Sequence, residues 1–164
     1  IGVGNDFRRI GLLRDPTNFG TTTVATATTR RQIYATIFSS VSGTFTADEE
    51  INQATTGAVA KVIEFDSTNN ILYYYQTRFP DVGTDTNGNL TAFSGANAIT
   101  GQSSSASATP NTSSSATVNG VTFASGYANP ELAYDSGDII YVEERSPITR
   151  ASDQTENVKL IIEF

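Results

Sequence analysis

The sequence contains no cysteine and no histidine, and only two of its ten basic residues, Lys61 and Lys159, are lysines. Without cysteine there is no disulfide framework, no thiolate metal site and no sulfur nucleophile. Without histidine the chain lacks the side chain that most often acts as a general base near neutral pH, and the commonest metal-ligand side chain. Ten bases against 17 acids, a net charge of -7, offer phosphate backbones little neutralisation, so no direct nucleic-acid partner is expected. No apolar run approaches the roughly 20 residues of a spanning helix, so no membrane insertion is expected either. Phosphate-cradling glycine loops and a GxSxG turn are missing, and no cofactor is implied. The opening Ile1-Gly2-Val3-Gly4 is neither a natural start nor a leader, and the chain reads as a fragment of something longer.

What is present is a period of two. With 16% charged and 38% hydrophobic residues over 164 positions, the composition is that of one globular domain or of one domain carrying an insertion. RQIYATIF, from Arg31, places Ile33, Ala35 and Ile37 on one face and Tyr34, Thr36 and Phe38 on the other, so both faces of that strand are expected to be covered. AVAKVIEF from Ala58 and ILYYYQTR from Ile71 flank the turn formers Asp66 to Asn70 and predict an antiparallel pair. FTADEEINQATTGA from Phe45 echoes FSGANAITGQSSSA from Phe93, aligning Phe45 with Phe93 and Ile51 with Ile99, which suggests paired strands of a small barrel or sandwich. The Thr-rich residues 17–29 permit an exposed strand or an extended arm. Asn129-Pro130-Glu131-Leu132, followed by Gly137, predicts one short helix. Gly101 to Gly120, dominated by Ser, Thr, Ala and Asn, predicts a long loop or a flexible hairpin tip without its own core.

Few residues argue for chemistry. Asp81, Asp85, Asn87 and Asn89 supply oxygens in one short span, as a hard cation wants, but Leu90 stands where a calcium loop needs its glycine and no bidentate Glu follows. Asn87-Gly88 is instead a hairpin turn signal, so these four are weak metal candidates only. The paired acids Glu49-Glu50 and Glu143-Glu144 alternate across strand faces and read as solvated edge or interface charges rather than a glycosidase pair. No catalytic residue is assigned, and the chain is not expected to be an enzyme. Asn111-Thr112-Ser113 matches a glycosylation sequon, a pattern short enough to arise by chance in this composition.

The last 29 residues, SGDIIYVEERSPITRASDQTENVKLIIEF, hold two alternating apolar stretches around a charged, Pro-containing connection. Arg145 in that connection is suited to hold a carboxylate bidentately. Ser-Gly-acid, Ile140-Tyr141, Glu143, Arg145, Pro147-Ile148, Asp153-Gln154-Thr155-Glu156 and Phe164 together resemble the carboxyl terminus of the gene-eight baseplate wedge family of T-even contractile-tailed bacteriophages. Asn129-Pro130-Glu131-Leu132 and FRRIGLLRDP, from Phe7 to Pro16, look like the segments that pair with it in that family. The resemblance covers the two ends of the chain. It implies an all-β, mainly antiparallel virion protein of the tail baseplate, assembled in the host cytoplasm. Other wedge subunits would be its partners, the full-length protein would be a homodimer, and it would reorganise when the phage attaches. Tyr141, Glu143, Arg145, Pro147, Asp153, Gln154, Thr155 and Glu156 would then form an interface or structural motif.

The expected fold is a β-sandwich or small barrel with an inserted β module and one short helix. Residues 1–44 and 121–164 would form the wedge-type β domain, and 45–120 the insertion, carrying the Ser/Thr-rich loop 101–120. The competing class is a secreted adhesin or carbohydrate-binding β-sandwich, in which Tyr73 and Tyr75, on one strand face, would stack on sugars.

Overall fold

A computed structural model describes residues 9–29, 31–76, 83–133 and 135–144. The chain forms two compact units, Pro16–Ser136 on one hand and Ile1–Asp15 with Gly137–Phe164 on the other.

The Pro16–Ser136 unit is built on one antiparallel sheet. Its strands are β2 (Tyr34–Ile37), β3 (Glu50–Gln53), β4 (Ala58–Asp66), β5 (Ile71–Tyr75), β6 (Ile99–Gly101), β7 (Ser107–Ala108) and β10 (Tyr127–Ala128), in the order β10-β2-β5-β4-β3-β6-β7. The three alternating runs of the sequence are thus β2, β4 and β5. The turn between β4 and β5 closes on Asp66, whose Oδ1 accepts from the main-chain N–H of Thr68 at 2.9 Å and of Asn69 at 3.1 Å. Such a carboxylate-capped turn is why Asp and Asn recur at strand ends. The echoed segments also meet, since β3 and β6 pair antiparallel with Ile51 opposite Gly101, and Phe45, Phe93, Ile51 and Ile99 enter one core.

Alternation covers both sheet faces. Leu72 and Tyr74 of β5 point into the larger cluster, with Phe38, Phe45, Ile51, Val62 and Phe93, while Ile71 joins Ala35, Ile37, Val121, Phe123 and Ala128 on the opposite side. That second face is covered by a small hairpin, β8 (Thr117–Val118) and β9 (Val121–Thr122), turned at Asn119-Gly120 with both residues at positive φ. A bulge at Ile63 shifts the register of β4 against β5. Without it, Val62 and Phe65 would face opposite ways; the extra residue rephases the strand, so that Phe65 packs against the larger cluster, edge-on to Phe45 at 5.6 Å.

Among the described residues no strand ladder closes this sheet into a barrel. Two isolated bridges, Ser42–Ser107 and Phe38–Pro110, nevertheless join the segment running through β7 to the one continuing from β2, so the sheet curls round its larger core.

Two expectations are corrected. The described residues contain no helix, and the segment proposed for one spends its amides on distant carbonyls: Glu131 and Leu132 both donate to that of Arg31, at 2.7 and 3.1 Å, and Ala133 donates to that of Thr17 at 2.9 Å. Amides held by distant carbonyls cannot close an i to i−4 turn, and cross-chain pairing overrides the local capping signals. The Ser-rich stretch is not a coreless loop, because it supplies β7, β8 and the turn into β9, and buries Ala106 and Ala108. Residues 17–29 fold back on themselves, with Thr17 bridged to Val24 and Asn18 donating to Thr23 at 2.8 Å. As for boundaries, the compact units divide at 15/16 and 136/137, and β2, from the segment 1–44, shares its sheet with β4 and β5.

In the other unit, β1 (Arg9–Arg14) and β11 (Asp138–Glu144) form a two-stranded antiparallel ribbon. The segment Phe7 to Pro16, likened on sequence to a partner of the carboxyl terminus, thus supplies the strand that pairs with β11.

Candidate functional site

The ribbon owes its unusual surface to its register. Leu12 lies opposite Tyr141, Leu13 opposite Ile139 and Gly11 opposite Val142, with Ile140 as the extra residue of a bulge. A two-stranded ribbon has two faces, and side chains of alternate residues emerge on both. Leu12, Leu13, Ile139, Ile140, Tyr141 and Val142 are between 47 and 67% exposed. Scattered exposed apolar residues are normal, whereas here six are gathered on one short ribbon and divided between its two faces. At one end an exposed ion pair crosses the ribbon, Arg14 Nη2 donating to Asp138 Oδ2 at 2.9 Å.

Of the residues assigned to the interface motif, the structure places Tyr141 and Glu143 on β11. Tyr141 is half exposed and Glu143 half-buried opposite Ile10. Arg145, Pro147, Asp153, Gln154, Thr155 and Glu156 lie outside the described residues, as does Asp81.

The remaining metal candidates serve a turn. Asp85 Oδ1 accepts from the amides of Asn87 at 2.8 Å and Asn89 at 2.9 Å, and Asn89 Nδ2 reaches Oδ2 at 3.3 Å. Those main-chain bonds, that from Asn89 foremost, hold the Asp85 carboxyl below its ordinary value. Thr84 bridges Leu90 across the turn, with Gly88 at positive φ, as the Asn-Gly signal implies. Among the described residues no three acidic or histidine side chains cluster.

Glu49 is the polar residue that sequence reasoning misplaced. It is buried, not solvated, at 5% exposure. Oε1 accepts from Thr46 N at 2.7 Å and Ser104 Oγ at 2.8 Å, and Oε2 from Ser103 N at 3.2 Å and Ser104 N at 2.9 Å. Burial pushes its carboxyl pKa up, but these four bonds together outweigh it and leave the value lowered. The arrangement staples the β6–β7 turn to the start of β3, a structural task. Glu50, its neighbour, is exposed.

The proposed sugar-stacking pair is not an open platform. Tyr73 packs against the smaller core beneath the β8–β9 hairpin, and only Tyr75, at 37%, is exposed.

An antiparallel β protein whose carboxylates close turns and whose exposed apolar side chains form a ribbon has the features of a structural subunit. Comparison with family models gives the lineage: the model described as Bacteriophage T4, Gp8 matches residues 61–164, more than half of the chain. No curated protein and no solved structure gives a significant match. The chain belongs to the Gp8 family of phage baseplate wedge proteins, and it is a structural protein of the virion's tail baseplate. The match begins inside β4 and runs on through β11, so it includes the stretch 61–128 that lies between the two ends carrying the resemblance.

Proposed function

We propose that this chain is a wedge subunit seated among neighbouring baseplate proteins through the β1–β11 ribbon, and that it takes part in baseplate assembly and in the rearrangement that follows host attachment. The observation that carries this reading is the set of six exposed apolar side chains on both faces of the ribbon. Burying a Leu or Ile side chain contributes roughly 1.5–3 kcal/mol, so even partial burial of several supports a stable contact. The ribbon's outer edges add a second means of attachment, because a strand edge offers main-chain donors and acceptors to an incoming strand. Arg145, Pro147 and the run Asp153-Gln154-Thr155-Glu156, which follow β11 in the sequence, belong to the same proposed seat, and the full-length protein is proposed to be a homodimer.

The test is co-purification of the full-length protein with the neighbouring wedge proteins of the same phage. The double substitution Leu13→Asp with Ile139→Asp is expected to weaken the complex at least 100-fold while the unfolding transition of the Pro16–Ser136 unit stays in place. Wild-type assembly by that variant would remove the ribbon from the interface.

A further inference from the structure

We propose that Asn119, at the tip of the β8–β9 hairpin, is a site of spontaneous covalent modification, where the side-chain amide closes into a cyclic imide that reopens as aspartate or isoaspartate, and that this change releases the hairpin from Asp66. Two Asn-Gly pairs stand among the described residues, Asn87-Gly88 and Asn119-Gly120, and all four residues are exposed. Glycine after asparagine favours the reaction, because no Cβ hinders the approach of its nitrogen to the asparagine side chain. The step needs only water. The Gly120 nitrogen gives up its proton and attacks Asn119 Cγ, a C–N bond forms, and the side-chain nitrogen leaves as ammonia. Water then opens the imide at either carbonyl, so one water is consumed, one ammonia is released and no atom changes oxidation state.

The structure separates the two pairs. The Gly88 N–H is committed to Asp85 O at 3.0 Å, and the Asp85 carboxylate holds the same turn through the amides of Asn87 and Asn89. The Gly120 N–H has no acceptor among the described residues. Ring closure needs that nitrogen to swing towards the side chain, and only two residue pairs, Thr117 with Thr122 and Val118 with Val121, hold the hairpin against such a movement. A ribbon so short opens locally without unfolding the sheet beneath it.

The modification would act on the fold through one contact. Asn119 Nδ2 donates to Asp66 Oδ2 at 3.2 Å and ties the hairpin tip to the turn between β4 and β5. Hydrogen bonds, those from Asn69 foremost, hold the Asp66 carboxyl below its ordinary value, so it is ionised near neutrality. A carboxylate at position 119 exchanges a donor for a second negative charge, and isoaspartate also lengthens the main chain of a two-residue turn. Because the hairpin lays Val118 and Val121 over the smaller core, loosening its tip uncovers that face of the sheet. The site lies in the Pro16–Ser136 unit, and its reactivity does not depend on the ribbon reading.

The experiment ages the 164-residue chain at mildly alkaline pH and maps its peptides by mass spectrometry, with aspartate and isoaspartate separated. In the folded protein Asn119 is expected to convert roughly tenfold faster than Asn87, and in strong denaturant, where neither turn persists, at a comparable rate. Amide exchange at 117–122 is expected to quicken in the aged protein and in Asn119→Asp. It is expected to keep its initial rate in aged Asn119→Gly, since glycine suits the positive φ of that position and has no side chain to cyclise. Conversion of Asn87 first, equal rates in the folded protein, or unchanged exchange across the hairpin after Asn119 has converted would overturn the proposal.

Discussion

The two units treat the same kinds of side chain in opposite ways. Within Pro16–Ser136, apolar residues meet one another on both faces of the sheet, and even a carboxylate is enclosed with all its oxygens bonded, as Glu49 shows. On the β1–β11 ribbon, leucines, isoleucines, a valine and a tyrosine of equal apolarity stand in solvent. Sequence alternation is therefore not a measure of burial. It specifies a strand, and whether other described residues pack over that strand decides whether its apolar side chains are buried.

The sharpest way to break that contrast is to remove the same amount of hydrocarbon from each side. Leu72→Ala empties a fully buried position on β5 and is expected to cost about 3–4 kcal/mol of folding stability. Ile139→Ala, on a residue 67% exposed, is expected to change stability by less than about 0.5 kcal/mol. Chemical denaturation of the two variants side by side measures the difference, and equal losses would show that the ribbon is covered within its own chain.

Next in size is the buried carboxylate. In Glu49→Gln, whichever way the amide is turned, its NH₂ confronts main-chain donors that the wild-type oxygens accept, so about 2 kcal/mol is expected to be lost. The loss depends on pH. The folded-state pKa of Glu49 is lowered, so its ionised form contributes stability that is fully present above the ordinary glutamate value. That contribution fades as the pH falls below about 4.5 and through the lower folded value. Wild type and Glu49→Gln should therefore differ most near neutrality and converge in acid; a difference that is constant from pH 7 to pH 3 would contradict the hydrogen-bonding account. Gly101→Ala probes the same staple from the other side. A Cβ there would lie 2.5 Å from Ser104 Oγ and 2.6 Å from Glu49 Oε2, displacing a carboxylate that four bonds hold in place. About 1–2 kcal/mol is expected, and less when Glu49 is already alanine, the contact with Ser104 Oγ remaining, as a double-mutant cycle would show.

Much of the sheet was legible because its signals are local. The runs at 31–38, 58–65 and 71–78 announced strands, the Asp66 to Asn70 cluster announced their turn, and the Phe45/Phe93 and Ile51/Ile99 echo anticipated the pairing of β3 with β6. What failed was non-local. Ala106 and Ala108 are too small to register as core residues, yet they are buried, because Glu49, more than fifty positions upstream, holds the neighbouring turn. The helix expected after Asn129 lost its amides to Arg31 and Thr17, partners that no window around Pro130 contains. One local signal did announce structure there: Val118-Asn119-Gly120-Val121, at the end of the serine-rich stretch, is a hairpin turn flanked by apolar residues. The seam of the curled sheet was illegible for a different reason, since Ser42 and Ser107 become neighbours only when the sheet curls. Of the interface motif, Tyr141 and Glu143 lay on a strand that the alternation of 138–144 already implied.

The smallest expected effect tests whether charge or apolar surface defines the ribbon. Arg14 and Asp138 form its one described cross-strand ion pair, at 2.9 Å, but both side chains are more than 60% exposed. An ion pair so open to water and salt contributes at most a few tenths of a kcal/mol, because solvent screens the attraction and two flexible side chains must be held still. Arg14→Ala is therefore expected to leave stability almost unchanged, and to weaken wedge assembly by less than fivefold, far short of the loss produced by Leu13→Asp with Ile139→Asp. The comparison is made by titrating each variant against the same wedge partners at low and at physiological salt. If Arg14→Ala matched the apolar double variant, and the effect vanished at high salt, the seat would be an electrostatic one, and the exposed leucines and isoleucines would need another explanation.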